Sequence, residues 1–432
     1  MSHPVRDVVS RSFSDLALDP PVVDALRRRD ITTPTPVQLA VIPDALAGHH
    51  VLGRARTGSG KTLAFGLPVL ARLTGGKSRP THPRGLVLLP TRELANQVAE
   101  ALQPLASALG LRLATVYGGA PMGKQITALR QGADVVIATP GRLADLIERR
   151  QCHLDAVEVT VLDEADHLCD LGFYKPIDRL LAATPSRGQR LLLSATLDGQ
   201  VDKLVRRHLP QHRRHEIDSV DQLSETTEHH LLVAEQTERL AVARDLVTAN
   251  PRSIVFTRTR RGAQRLARQL STGDVVAVDL HGDLSQGQRE RNLKRFRSGA
   301  ASVIVATDVA ARGIHIDGIG MVVHYDAPAE PKAFTHRSGR TARAGESGVV
   351  VTMTTPTALD DVVRMQRKAG VTARHHDARR APRPLTVEAL AGSGRVAPPI
   401  DARSSSRPSR SRTGSSPHRN RNRRRRRPQR VR

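Results

Sequence analysis

The chain has 432 residues, with 67 lysines and arginines against 42 aspartates and glutamates and a formal net charge of +25; at about 100 to 200 residues per domain this length points to two or three domains. A hydrophobic fraction of 39% supplies real cores, no apolar run approaches the ~18 residues of a membrane helix, and the start MSHPVRDVV lacks a secretory h-region, so a cytoplasmic protein with no membrane partner is expected. Two cysteines, Cys152 and Cys169, exclude a disulfide framework and a four-cysteine zinc site, and 2% aromatics without Trp leave few platforms on which bases could stack.

From residue 36 to 355 short apolar runs alternate with helical patterns, as in a parallel sheet covered by helices. The chain first starts a strand around 51–52, and further strands are expected at 84–89, 134–138, 157–162 and 190–193. The polar stretch 212–227 reads as an interdomain linker. A second series follows at 230–233, 252–256, 275–279, 302–306, 321–324 and 349–352. Beyond residue 370 the composition turns to Arg, Ser and Pro, too poor in apolar surface to offset chain entropy, so a disordered tail is expected over 371–432. The tail holds 18 arginines against three acids. An excess of arginine over lysine, 59 to 8, often reflects GC-rich coding, but charge gathered at one end points to a polyanionic partner.

Residues 55–62 read ARTGSGKT, directly after the first strand and before a helical pattern. This is the phosphate-binding end of a P-loop, although Ala55 stands where the general pattern has its first glycine. The backbone of Thr57, Gly58, Ser59 and Gly60 would turn its N–H groups to phosphate oxygens; Lys61 would place its charge on the β- and γ-phosphates, and the Thr62 hydroxyl would coordinate Mg²⁺. About a hundred residues on, an apolar strand ends in Asp163-Glu164-Ala165-Asp166. Ligands of α/β sheets sit beyond the carboxyl ends of strands, which would bring these carboxylates beside the P-loop. Asp163 is suited to hold Mg²⁺ and Glu164 to orient and deprotonate an attacking water.

Asp-Glu-Ala-Asp downstream of a P-loop resembles the DEAD-box RNA helicases of superfamily 2, and further motifs of that family follow in order over residues 13–345. They are DITTPTPVQ at 30–38, PTRELA at 90–95, Gly118-Gly119, TPGR at 139–142 and SAT at 194–196. In the second half come VFTRT at 255–259, HGDLSQGQR at 281–289, ATDVAARGI at 306–314 and HRSGRTARAG at 336–345. The resemblance implies two tandem RecA-like parallel-sheet domains: an ATP-binding domain over 1–211 with an N-terminal adenine-reading segment, the linker 212–227, a helicase C-terminal domain over 228–370 and the basic tail. It implies ATP with Mg²⁺ as ligands and RNA as partner, and in bacterial relatives proteins of ribosome assembly or RNA decay.

Residue by residue, the resemblance implies that Gln38 reads the adenine edge with its amide and that Phe13 packs on the base. Arg340 and Arg343 would act as arginine fingers delivered from the second domain, completing a catalytic set with Lys61, Asp163 and Glu164. Arg92, Gly119, Thr139, Arg142, Gly282, Arg289 and Thr307 would touch the RNA backbone, so the core would be nearly blind to sequence. Ser194, Thr196, Asp166 and His336 would couple the ATP site to the RNA side. The activity implied is RNA-stimulated ATP hydrolysis coupled to domain closure and local duplex unwinding. The alternative is an ATP-gated RNA clamp or remodelling platform with little processive unwinding; a DNA helicase or generic P-loop ATPase leaves most motifs unexplained.

The chain departs from the family pattern at four positions. His315 stands where an Asp usually contacts the ribose, with Asp317 nearby. Asp30 and Ile31 replace the usual Gly and aromatic before the adenine motif, and Ala342 replaces a Gly in the last motif.

Overall fold

The computed structural model describes residues 12–55, 58–197, 199–217, 227–271, 274–311, 316, 318–342, 347–380, 390 and 395–396. The expected sites Thr57 and Arg343, the departures His315 and Asp317, linker residues 218–226 and nearly all of the tail beyond 380 lie outside these residues.

The first lobe is a seven-stranded sheet. Its strands are β1 (Val51–Arg54), β2 (Gly85–Leu88), β3 (Leu113–Val116), β4 (Val135–Ala138), β5 (Val159–Leu162), β6 (Gln189–Ser194) and β7 (Arg213–Glu216). They run in the order β3-β4-β2-β5-β6-β1-β7, every neighbouring pair parallel. Helices cover both faces, so the inner strands are apolar on both sides. Along β4, Val135 and Ile137 enter one core while Val136 and Ala138 enter the other; β6 divides Leu191 and Leu193 from Leu192 in the same way.

The second lobe repeats the plan. Its strands are β8 (Thr227–Val233), β9 (Ser253–Phe256), β10 (Ala277–Leu280), β11 (Val303–Ala306), β12 (Met321–His324), β13 (Gly348–Thr354), β14 (Arg374–Asp377) and β15 (Arg395–Val396). The order is β10-β11-β9-β12-β13-β8-β14-β15, parallel except for the last pair. The two tandem RecA-like parallel-sheet lobes agree with the expected fold class. Among the described residues no helix is long and apolar enough to cross a membrane.

Four strands escape the apolar pattern, the two-residue β15 among them. Leu113–Val116 lies at the sheet edge, where only alternate residues are buried. Arg213–Glu216, expected to be linker, instead pairs with β1 in the register Val51↔Arg213 through Gly53↔His215. Arg374–Asp377, expected to open the tail, pairs with β8 and so extends the second sheet past residue 370. Arg213–Glu216 is an edge strand and Arg374–Asp377 lies between β8 and the short β15; both are carried by backbone hydrogen bonds, which any side chain permits, so their charged composition hides them.

Because each sheet is parallel, the carboxyl ends of its strands share one edge. In the first lobe that edge receives the turn after β1 that enters the helix Lys61–Leu73, the Asp163-Glu164 turn after β5 and Ser194 at the end of β6. Pro90 to Arg92 follow β2, Gly118-Gly119 follow β3 and Thr139 follows β4. Local signals start the helices there. Thr91 accepts a hydrogen bond from the Leu94 N–H (3.3 Å) as N-cap of Arg92–Ala108, and Pro140 opens Pro140–Glu148 at N1.

Candidate functional site

Gly60 caps the helix Lys61–Leu73 with φ +93, in the left-handed region that glycine alone enters freely. A Cβ there would lie 2.6 Å from Gln38 Nε2 and 2.9 Å from Thr35 Oγ1, so the turn is a cradle closed to any side chain. Gln38 is buried and holds the cradle: its Oε1 accepts from the Thr35 N–H (2.9 Å) and its Nε2 donates to the Gly60 carbonyl (3.0 Å). One donor hydrogen and one acceptor lone pair of the amide remain for a base edge.

Lys61 is 5% exposed, with Nζ 3.0 Å from Glu164 Oε1 and 3.8 Å from Asp163 Oδ1. Burial alone would lower the lysine pKa, but Glu164, Asp163 and Asp166 outweigh it and hold it above the ordinary value. Burial pushes the Asp163 carboxyl up to about 7 against the pull of Lys61. Glu164 goes the other way: the Lys61 charge and hydrogen bond, with His167 and Arg340 adding, overcome burial and bring it to about 2. Glu164 also has φ 53 as N-cap of the helix Ala165–Asp170, a left-handed conformation that costs a non-glycine residue about 1–3 kcal/mol and concentrates at functional sites.

Asp166 is fully buried and links three motifs. Its Oδ2 accepts from both the N–H and the hydroxyl of Thr196 (3.0 Å each), and its N–H donates to Ser194 Oγ (3.1 Å). His336 of the second lobe sits with Nε2 3.8 Å from the same Oδ2. The helix Pro331–Ser338 that carries His336 is fixed by Arg337, which forks onto Asp308 (Nη2 to Oδ2, 2.7 Å) and donates Nη1 to the Asp326 carbonyl (2.7 Å). Arg340 follows this helix and stands near enough to hold the Glu164 carboxyl down.

A groove of about 580 Å³ runs between the lobes and brings together Arg92, Thr139 and Arg142 of the first with Arg289 of the second. Arg92 Nη1 donates to the Gly118 carbonyl (3.4 Å) and Arg142 Nη1 to the Ala120 carbonyl (3.2 Å). Gly119 has φ +77, and a Cβ on it would meet Arg92 Nη1 at 2.5 Å. Gly282 and Thr307 do not line this groove; Thr307 is buried at the end of β11. Sequence reasoning missed Leu171, Phe173 and Val309, the apolar part of the lining. Val309 is the exposed large hydrophobic among the described residues, at 58%; exposed apolar area at a groove marks an interaction surface and is legible only in the folded chain.

The profile described as DEAD/DEAH box helicase matches residues 35–204, and that of the helicase conserved C-terminal domain matches 237–345. The DEAD-box ATP-dependent RNA helicase CshA of Bacillus licheniformis is 36% identical over 390 residues, which cover 89% of this chain and 78% of the relative. This chain belongs to the DEAD-box helicase family. Plant members are longer: the chain spans 57% of the mitochondrial helicase 9 of Arabidopsis thaliana, at 39% identity over 79% of its own length, and 49% of the chloroplastic helicase 3A of Zea mays, at 41% over 83%. Among solved structures, S. cerevisiae Dbp5 bound to RNA and ADP BeF3 superposes with a TM-score of 0.76 at 27% identity, over 85% of this chain and 95% of that one.

Within the DEAD-box framework, Phe13 has a defined place. Phe13, expected to pack on the adenine, is 1% exposed and belongs to the core with Leu16, Val37 and Ile42. The short helix Phe13–Leu16 folds onto the helix Pro36–Leu46, which carries Gln38. Two departures from the family pattern acquire a physical meaning. Asp30 (φ 58) and Ala342 (φ 52) hold the left-handed conformation that explains the glycine usual at each place.

Proposed function

We propose that this DEAD-box protein hydrolyses ATP when RNA draws its two lobes together, and that closure destabilises short duplexes locally. The observation that carries the reading is the meeting of the lobes at the Asp163–Asp166 turn, where His336 approaches Asp166 and Arg340 acts on Glu164. Gly58, Ser59 and Gly60 with Lys61 form the phosphate cradle, and Gln38 sets the base. Lys61 must exchange Glu164 for the phosphates when ATP enters, which frees the Glu164 carboxylate to orient water and take its proton. Arg340, with Arg343, supplies the guanidinium charge for the γ-phosphate. The buried oxygen of Asp163 and the Thr62 hydroxyl are a hard-donor set that fits Mg²⁺. Such an ion would neutralise phosphate charge during transfer.

RNA is the proposed activator. Arg92, Arg142 and the backbone at Gly119 and Thr139 suit phosphates and ribose rather than base edges, as does Gly282 across the cleft. The arginine-rich tail adds a sequence-blind electrostatic hold. Removing it should weaken RNA binding and flatten its salt dependence, each lost phosphate contact accounting for a slope of about 0.7 in log K against log salt. Maximal ATP turnover should survive.

The deciding experiment is steady-state ATP hydrolysis at low salt with single-stranded RNA, single-stranded DNA or no nucleic acid, beside Glu164→Gln and Arg340→Ala. Strong stimulation by RNA, abolished by either substitution, is expected. Equal stimulation by DNA, or unstimulated turnover, overturns RNA-dependent closure. ATP-dependent separation of a short duplex distinguishes a helicase from an ATP-gated clamp.

A further inference from the structure

The cleft accounts for only part of the cationic surface of the second lobe. The helix Arg260–Leu270 buries Ala263, Leu266, Ala267 and Leu270 and turns Arg261, Arg265 and Arg268 outward, at the i, i+4, i+7 spacing of one helical face. The helix Gln286–Arg297 buries Leu293 and Phe296 and turns Arg291 and Arg295 outward. Between them, floored by β10, lies a groove of about 510 Å³ whose polar lining includes Gln264, Arg268, Gln288, Arg291 and Asn292.

The charge here is uncompensated. None of Arg261, Arg265, Arg268, Arg291 and Arg295 has a carboxylate within 4 Å among the described residues. Several exposed arginines on other helices are paired, as in Arg149–Asp145, Arg206–Asp202 and Arg364–Asp361. The acid in the groove, Asp279, is engaged by His281 Nε2 and Asn292 Nδ2, both at 3.0 Å. Of the uncompensated arginines, Arg268 and Arg291 line the concave strip, one from each helix.

The strip begins beside Gly282, an expected RNA contact. Leu284 lines it two residues after Gly282, and Arg260, at the start of the first helix, lies 3.4 Å from where a Cβ on Gly282 would stand. We infer that RNA leaving the cleft past Gly282 continues along this groove, its phosphates held by Arg268 and Arg291 and its ribose hydroxyls by Gln264, Gln288 and Asn292. Guanidinium forks match phosphate oxygens and side-chain amides match 2′-hydroxyls. With no aromatic in its lining, the groove has no means of reading bases by stacking and lacks the anchor pocket typical of a protein partner. The inference rests on the proposed RNA-binding role of the cleft.

The test uses the full chain and its Arg268→Gln, Arg291→Gln double variant, whose exposed substitutions should leave the thermal midpoint in place. Each binds, with a non-hydrolysable ATP analogue, a short single strand that fills only the cleft and the same strand extended at both ends. For the extended RNA, the double variant should lose affinity and its salt slope should fall by about 1.4, two contacts at about 0.7 each. For the short RNA it should match the wild-type chain in affinity and in stimulated turnover. Equal losses on both strands, or none on the extended one, overturn the groove as an RNA path. Polyglutamate binding that depends on these arginines while RNA binding does not would assign the groove to an acidic protein instead. Failure of the wild-type chain to bind either strand would remove the cleft reading itself, and this one with it.

Discussion

Arg289 of the second lobe lies with Nε 2.8 Å from Glu93 Oε1 of the first, both side chains nearly buried, while its Nη2 donates to the Ala310 carbonyl at 2.7 Å. Burial lowers the guanidinium pKa, and Glu93 works against that shift. Arg92 approaches the same carboxylate at 3.4 Å. The arginine carried over as an RNA contact is thus a strut between lobes that reaches the RNA groove from one side. Glu93→Gln would leave a buried guanidinium without its counter-charge, a loss of about 2 kcal/mol or roughly thirtyfold in the closed state. The factor by which an ATP analogue tightens RNA binding should shrink accordingly, with ATP binding in the absence of RNA unchanged. An unaltered coupling factor would show that the strut does not contribute to closure.

Lys332 and Asp170 form a second bridge, Nζ to Oδ1 at 3.0 Å, with about a quarter of each side chain exposed. Such a pair contributes about 0.2–1 kcal/mol and is screened by salt. Lys332→Asp should raise the RNA concentration for half-maximal turnover a few-fold at low salt and little at high salt, leaving kcat nearly intact. Adding Asp170→Lys should restore the wild-type value; a double variant no better than the single one rules out a direct bridge.

Ala342 holds φ 52 without the freedom of glycine. Ala342→Gly should stabilise the second lobe by up to about 1 kcal/mol, since the strain relieved exceeds the backbone entropy added to the unfolded chain. Asp30→Gly should give less, because Asp tolerates the left-handed region better than Ala. Denaturant midpoints decide both; a destabilised Ala342→Gly variant contradicts the strain.

Histidines of the second lobe make it sensitive to acid. Burial brings His229 and His376 to about 4 and holds His324, beside Arg337, well below the ordinary value. Above pH 6.5 these rings are neutral in both the folded and unfolded chain. Between 6.5 and about 4 the unfolded chain takes up the protons first, so stability falls through that window, by roughly 2–3 kcal/mol for His229 alone. Urea midpoints at pH 7.5 and 5 should show the loss, and His229→Phe should flatten it. A midpoint that stays level across the window contradicts buried neutral imidazoles.

Cys152 is buried, and burial pushes its thiol up to about 12. It should resist alkylation in the native chain and react on unfolding, so its labelling rate reports opening of the first lobe. Rapid labelling under native conditions would show that Cys152 is accessible.

Much of this protein was determined by sequence alone because its signals are local. Apolar runs buried on both faces mark the inner strands of both sheets, and the ARTGSGKT and Asp-Glu-Ala-Asp segments name their chemistry through residue type and spacing. Tertiary structure decided what depends on partners distant in the chain. The strands Arg213–Glu216 and Arg374–Asp377 exist through backbone pairing that no side chain announces. Phe13 became core once a short helix folded onto Pro36–Leu46, and Arg289 became a strut once Glu93, almost two hundred residues away, lay opposite it. A charge or a ring shows its type in the sequence, but its role depends on which groups the folded chain brings within a few ångströms of it, where Coulomb and dispersion energies become large.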